Sequence, residues 1–96
     1  MNLEIKAIHF SLHDDAKEYL NKKIERLRNA ENMIVDLIIS IKKEKDFDAE
    51  ATVNFRWGVS THVKESDFEL TKAIDKMIDK LEAKITKEKE KVKEKR

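Results

Sequence analysis

Residues 2–8 alternate polar and apolar side chains, with Leu3, Ile5 and Ala7 on one face, the period-2 mark of a strand. From Ser11 the period changes. Ala16, Leu20, Ile24 and Leu27 recur at helical spacing through SLHDDAKEYLNKKIERLRN. Ser11 and Asp14 form a capping-box-like pair, and acids crowd the first turn, where the helix dipole favours them. Asn29 and Asn32 suit an exit turn. MIVDLIISIKKEK is β-branched and alternating, with Val35, Leu37, Ile39 and Ile41 facing inward. DFDAEATVNFRW alternates again: Ala49, Ala51, Val53 and Phe55 inward, Glu50, Thr52, Asn54 and Arg56 outward. Trp57-Gly58 marks a tight turn, and VSTHVK reads as a fourth strand with Val59 and Val63 inward. From Asp67 onward, Leu70, Ile74, Met77, Ile78, Leu81 and Ile85 mark a second amphipathic helix.

The order is therefore βαβββα. It predicts an α+β fold: a four-stranded, mainly antiparallel sheet with two helices packed on one face. The 96 residues fit a single domain, 1–96, with a modest core. Without cysteine there is neither a disulfide framework nor a Cys-based zinc site. The N-terminus lacks a secretory pattern and no apolar run is long enough to span a bilayer, so a cytoplasmic protein is expected.

The second helix carries the most information. Residues 67–95 would extend about 40 Å as a helix, whereas strands of six to eight residues offer roughly 20–27 Å of floor. A basic overhang from about residue 86 is expected. Net charge is only +1, which alone argues against a nucleic-acid binder, but its distribution is uneven. Residues 1–83 hold 14 basic and 17 acidic side chains, and residues 84–96 hold 7 and 3. On the helical wheel Lys76, Lys80, Lys84, Lys87, Lys91 and Lys95 share one arc beside the apolar stripe. Asp75, Asp79, Glu82 and Glu90 lie on the opposite flank. Lysines four apart repel by a few tenths of a kcal/mol per pair, roughly. A helix shaped by solubility alone would intermix signs. The ordinary reading of such a run is a solvated face; the like-charged row points instead to a partner with a line of negative charge, such as a phosphate backbone. In the first helix Lys22, Lys23, Arg26 and the Tyr19 ring lie to one side of the apolar stripe. If the two basic flanks adjoin, they line a cationic groove between the helices.

Other constellations are weaker. His9 and His13 lie four apart but across a strand-to-helix junction, so no metal site is expected. Asp14-Asp15 fits helix capping, and DFDAE lacks the glycine and distal glutamate of a calcium loop. Ser60 and His62 share a strand face, with no recognisable elbow or oxyanion hole, and one glycine cannot build a phosphate loop. No catalysis and no cofactor are expected. Trp57 could stack on a base or pack on the sheet edge; its alternation continues the inward Val53/Phe55 face and favours packing. The outer sheet face is polar and carries no aromatics, unlike an RNA-recognition motif.

The chain resembles the short ribosome hibernation-promoting factor, or ribosome-associated inhibitor, family over its whole length. The resemblance rests on AIDKMIDKLEAKITKEKEKVK, with Ala73, Ile74, Asp75, Asp79, Lys80, Leu81, Lys87, Lys89 and Lys91 on the family pattern. AKEYLNKKIERL is also similar, through Lys17, Tyr19, Lys23, Arg26 and Leu27, as is ATVNF. Where the family has Asp-Met-Tyr, this chain has Glu69, Leu70 and Thr71; either Phe68 fills the tyrosine's space or a contact is lost. The resemblance implies a non-enzymatic factor in the mRNA/tRNA channel of the small ribosomal subunit, where it contacts ribosomal RNA, inhibits translation and preserves inactive ribosomes. A separate ribosome modulation factor is a candidate second partner, and the free protein is expected to be a monomer. Its topology is close to that of double-stranded-RNA-binding domains, which read RNA by shape and phosphate contacts. The candidate RNA-binding set is Lys17, Lys22, Lys23, Arg26, Lys76, Lys80, Lys84, Lys87, Lys89, Lys91 and Lys95. The alternatives are a generic structured-RNA binder and a helix-pairing module; with Val92 alone on the late apolar stripe, the second lacks a seam.

Overall fold

Strand β1 (Asn2–Ile8) is followed by α1 (Asp14–Ile24), a 3-10 helix over Glu25–Met33, β2 (Ile34–Lys43), β3 (Phe47–Phe55), β4 (Ser60–Asp67) and α2 (Leu70–Glu94). The computed structural model describes residues 1–94, with side chains through Val92. The strands lie in the order β1-β2-β3-β4. β1 runs parallel to β2, and the other two pairings are antiparallel. A parallel neighbour requires a long crossover, which α1 and the 3-10 helix supply. This is the α+β architecture expected from the periodicity.

The core lies between one sheet face and the helices. Leu37, Ile39 and Ile41 of β2, Ala49, Ala51, Val53 and Phe55 of β3, and Val63 of β4 are buried. Facing them are Leu20 and Ile24 of α1, Leu27 of the 3-10 helix, and Ala73, Ile74, Met77, Ile78, Leu81 and Ile85 of α2. α2 packs on β4 and β3. Ala49, Ala51 and Ala73 are the small, fully buried residues of these elements. No polar side chain is buried among the described residues, so dispersion and apolar burial hold this core together.

Several local expectations are corrected. The first helix does not start at Ser11: His13 is its N-cap, without a side-chain bond, and the Lys17 N–H donates to the His13 carbonyl at 2.9 Å. The α-helix also ends early. Ile24, Leu27 and Ala30 are spaced by three, and only a helix of three residues per turn keeps all of them on one line into the core. Val35 is 44% exposed because the β2–β3 register shifts between Ile34 and Asp36. That bulge hands the inward position to Ile34. Leu3 and Ala7 are exposed, since an open groove lined by Ile5, Ala7, Leu12, Lys17 and Asn21 separates β1 from α1. Val59 is also exposed, as part of the β3–β4 tip. β4 continues through Asp67, which pairs with Phe47, so α2 begins only at Leu70.

Gly58 has φ of 85° and closes the tip by donating its N–H to the Phe55 carbonyl at 3.1 Å. A Cβ here would meet no atom within 4 Å, so a side chain suffers only the left-handed backbone. Gly58→Ala is expected to destabilise the protein by about 1–2 kcal/mol in denaturant unfolding. Leu81→Ala, which opens a cavity in a fully buried site, should cost about 2–5 kcal/mol in the same assay. Equal midpoints for parent and Leu81→Ala would contradict the packing described.

Candidate nucleic-acid interface

The two flanks of α2 meet different neighbours. Its acidic flank faces α1. Asp75 accepts a hydrogen bond from the Tyr19 hydroxyl at 2.6 Å and lies 3.3 Å from the Lys23 ammonium. That ammonium sits 5.4 Å from the Tyr19 ring centroid. Arg26 reaches Glu82 at 2.7 Å and Asp79 at 3.1 Å through one guanidinium nitrogen. The contact with Asp75 raises the pKa of Lys23, and the same carboxylate, as acceptor, raises that of Tyr19. Glu82 and then Asp79 hold the Arg26 guanidinium charged even more firmly than usual. The expected cationic groove between the helices is therefore not formed. Lys23 of α1 and Arg26 of the 3-10 helix meet the acidic side of α2, and the seam is a line of ion pairs.

The basic flank of α2 turns the other way, toward edge strand β4. Because α2 runs back along β4, its first lysines meet the end of that strand, where the acids are. Lys76 pairs with Asp67 at 3.0 Å and donates to the Ser66 carbonyl at 3.2 Å, and Lys80 lies 3.4 Å from Glu65. The start of β4 reads Ser60, Thr61, His62, with no acid. Beside it Lys84, Lys87 and Lys91 line an open groove with Thr61, Lys80 and Glu88. None of these three lysines makes an ion pair within 4.0 Å among the described residues. Among the described residues that line this groove, the one carboxylate is Glu88.

The remaining candidates are dispersed. Lys17 borders the groove between β1 and α1, and Lys22 sits among Asp15, Glu18 and Glu25. Lys89 is two residues from both Lys87 and Lys91, a rotation of about 200°, so it points away from the row. Lys95 lies outside the described residues. Thr61 and Glu88 complete the groove without belonging to any charged or apolar row of the sequence. Thr61 lies between inward Val63 and Val59 in the alternation, which was the available signal for its helix-side placement.

Trp57 stacks on Phe55 with centroids 5.3 Å apart and planes 12° apart, and its indole N–H donates to Glu88 at 2.9 Å. With Val59 it meets Val92 and Lys91, so the hairpin tip reaches the late turns of α2. At the other end of the sheet, Phe68 is 76% exposed beside Lys43, whose ammonium also lies over Phe47 at 4.5 Å. Phe68 therefore does not fill an interior space. The outer sheet face is self-paired: Thr52 with His62, Asn54 with Asp36, Ser66 with Asp48, and Lys64 with Glu50. It offers no comparable row of free cations.

A family model described as Sigma 54 modulation protein / S30EA ribosomal protein matches residues 3–93. The chain belongs to this family. This is the hibernation-promoting-factor family that the helix motifs resemble, a family of non-enzymatic factors. A ribosomal subunit interface protein from Coxiella burnetii shares the fold with a TM-score of 0.84 at 20% identity. The match covers 93% of this chain and 98% of that one. The N-terminal domain of Protein Y from Thermus thermophilus gives a TM-score of 0.79 at 25% identity, over 91% of this chain and 98% of that one. Comparison with curated protein sequences gives no match. No helix of this S30EA-family chain is long and apolar enough, among the described residues, to cross a membrane.

The β4–α2 contact has a pH signature. The Glu69 N–H, and then the Lys76 ammonium, hold the Asp67 carboxyl below the ordinary aspartate range. A depressed carboxylate stabilises the fold fully above its unfolded value, about 3.9, and that contribution disappears as pH falls through the folded value. Glu44, lowered mainly by Lys42, acts in the neighbouring window. The melting temperature of the parent should therefore drop more steeply below pH 4 than that of Asp67→Asn. Superimposable acid limbs would show that the Asp67 charge adds nothing to stability.

Proposed function

We propose that this protein is a ribosome hibernation factor: it binds the small ribosomal subunit in the mRNA/tRNA channel, inhibits translation and keeps inactive ribosomes intact. Family membership supports ribosome association, as does the likeness to a ribosomal subunit interface protein. The observation that carries the reading is the row of Lys84, Lys87 and Lys91 in the β4–α2 groove, unpaired among the described residues while Lys23 and Arg26 are tied to carboxylates. Ribosomal RNA offers the matching line of phosphates. Lys80 and Lys76 extend the row by exchanging Glu65 and Asp67 for phosphate oxygens. Lys23 and Arg26 serve this surface by fixing α1 against α2, and Lys17, Lys22, Lys89 and Lys95 supply peripheral attraction. The protein acts in the cytoplasm, with ribosomal RNA as its nucleic-acid partner.

Each lysine–phosphate contact releases counterions, so affinity falls with salt. The test is sedimentation of purified ribosomes and separated subunits with added protein through sucrose gradients at several salt concentrations. Co-migration with the small subunit is expected, weakening as salt rises. Lys84→Ala/Lys87→Ala/Lys91→Ala should bind more weakly and flatten the log affinity against log salt slope by about 2–3, at roughly 0.7–0.9 per contact. A triple variant that binds as tightly as the parent at moderate salt would reduce the row to solvated surface. Equal binding to unrelated duplex RNA would favour a general structured-RNA binder. The same gradients show whether ribosomes dimerise, with or without a modulation factor.

A further inference from the structure

The lysine row does not end in solvent. Its groove and the depression formed by Trp57, Val59 and Val92 share Glu88 and Lys91 as common walls. A strip of cations therefore runs directly into a small aromatic and apolar surface. One face of the indole is occupied by the parallel ring of Phe55, and its N–H is fixed on Glu88. Trp57 is nevertheless 40% exposed, and Val59 42%. An indole held from one face and one edge is already ordered, so a second flat ring can add to it at little entropic cost. The Glu88 carboxylate keeps its charge but is oriented toward the tryptophan by the indole N–H.

We propose that Trp57 is a stacking platform for an unpaired RNA base whose flanking phosphates lie on Lys84, Lys87 and Lys91. The proposal rests on the RNA-binding reading above and adds the form of RNA at the end of the groove: single-stranded or with a base turned out. The dimensions agree. Lys84 to Lys91 spans about 10 Å of helix, near three steps of a stacked strand at roughly 3.4 Å each. Cations that follow the backbone beside an aromatic that takes the base are the recurring chemistry of single-strand recognition.

Trp57 is the only tryptophan in the chain, so its emission reports the stack directly. The test titrates the full-length protein with a labelled 12-nucleotide oligoadenylate and, separately, with a 12-base-pair RNA duplex, following label anisotropy and indole fluorescence. Both RNAs should bind through the lysines, but only the single strand should quench Trp57. Trp57→Ala should weaken single-strand binding roughly 5- to 150-fold and duplex binding much less; Trp57→Phe, which also lacks the N–H donated to Glu88, controls for release of that carboxylate. Trp57→Phe should retain most of the affinity. Circular dichroism melts of both variants establish that they are folded, and the quenching result needs no variant at all. Single-strand binding without quenching, or with full affinity in folded Trp57→Ala, would overturn the platform and leave the lysine reading intact. Failure of the parent to bind either RNA or ribosomes would overturn both.

Discussion

Helix α2 is amphipathic in three directions, and burial of its apolar side governs where the two charged flanks point. Burial of Ile74, Met77, Ile78, Leu81 and Ile85 fixes which side faces the sheet. The charged flanks then meet different neighbours. Asp75, Asp79 and Glu82 find Lys23 and the Tyr19 hydroxyl on α1 and Arg26 on the 3-10 helix, and the lysine flank is left to face β4. Each such exposed pair is worth little in stability, about 0–1 kcal/mol. Its consequence is positional. Lys23 and Arg26, spent against the α2 carboxylates, are less available to an anionic partner, which leaves the lysine flank of α2 as the denser row of cations.

The same helix shows why charge is unneutralised only along part of its length. An antiparallel course past β4 sets Lys76 and Lys80 against Asp67 and Glu65. Four residues further on, the strand offers threonine and serine instead of acids. The lysines continue at helical spacing while their partners stop. Mutual repulsion of like charges at i,i+4 disfavours the isolated helix, and here it is offset by buried apolar contacts through Ile85 and by the Trp57–Glu88 bond beyond them. A line of polyanion charge would relieve that repulsion, which is a physical reason for such a row to bind.

Much of this was legible in the residue pattern. Alternation located all four strands, and the spacing of Leu20, Ile24 and Leu27 located the first helix. The βαβββα order followed, and the lysine arc was visible on a wheel. What the pattern did not contain was anything dependent on a partner. A wheel assigns Lys23 and Arg26 to an arc but not to the neighbour that arc meets, and here it meets carboxylates. Val35 misled because a bulge shifts inside to outside without any change in local alternation. Ser11 has a capping side chain, yet the chain bends at His9, with φ of 67°, and enters the helix two residues later than the motif suggested.

Trp57 and Gly58 join the two halves of the problem. The left-handed glycine makes the tip tight enough for Trp57 to fold back on Phe55. That places the indole against Glu88, so the hairpin braces α2 where its lysines are densest. The outer sheet face meanwhile consumes its polar groups in cross-strand pairs. Both effects push available charge and available aromatic surface toward the same end of one groove. The reason is geometric rather than compositional: with a net charge of +1 the chain has few cations to spare. An anionic partner can be gripped only if nearly all of the surplus is gathered in one place.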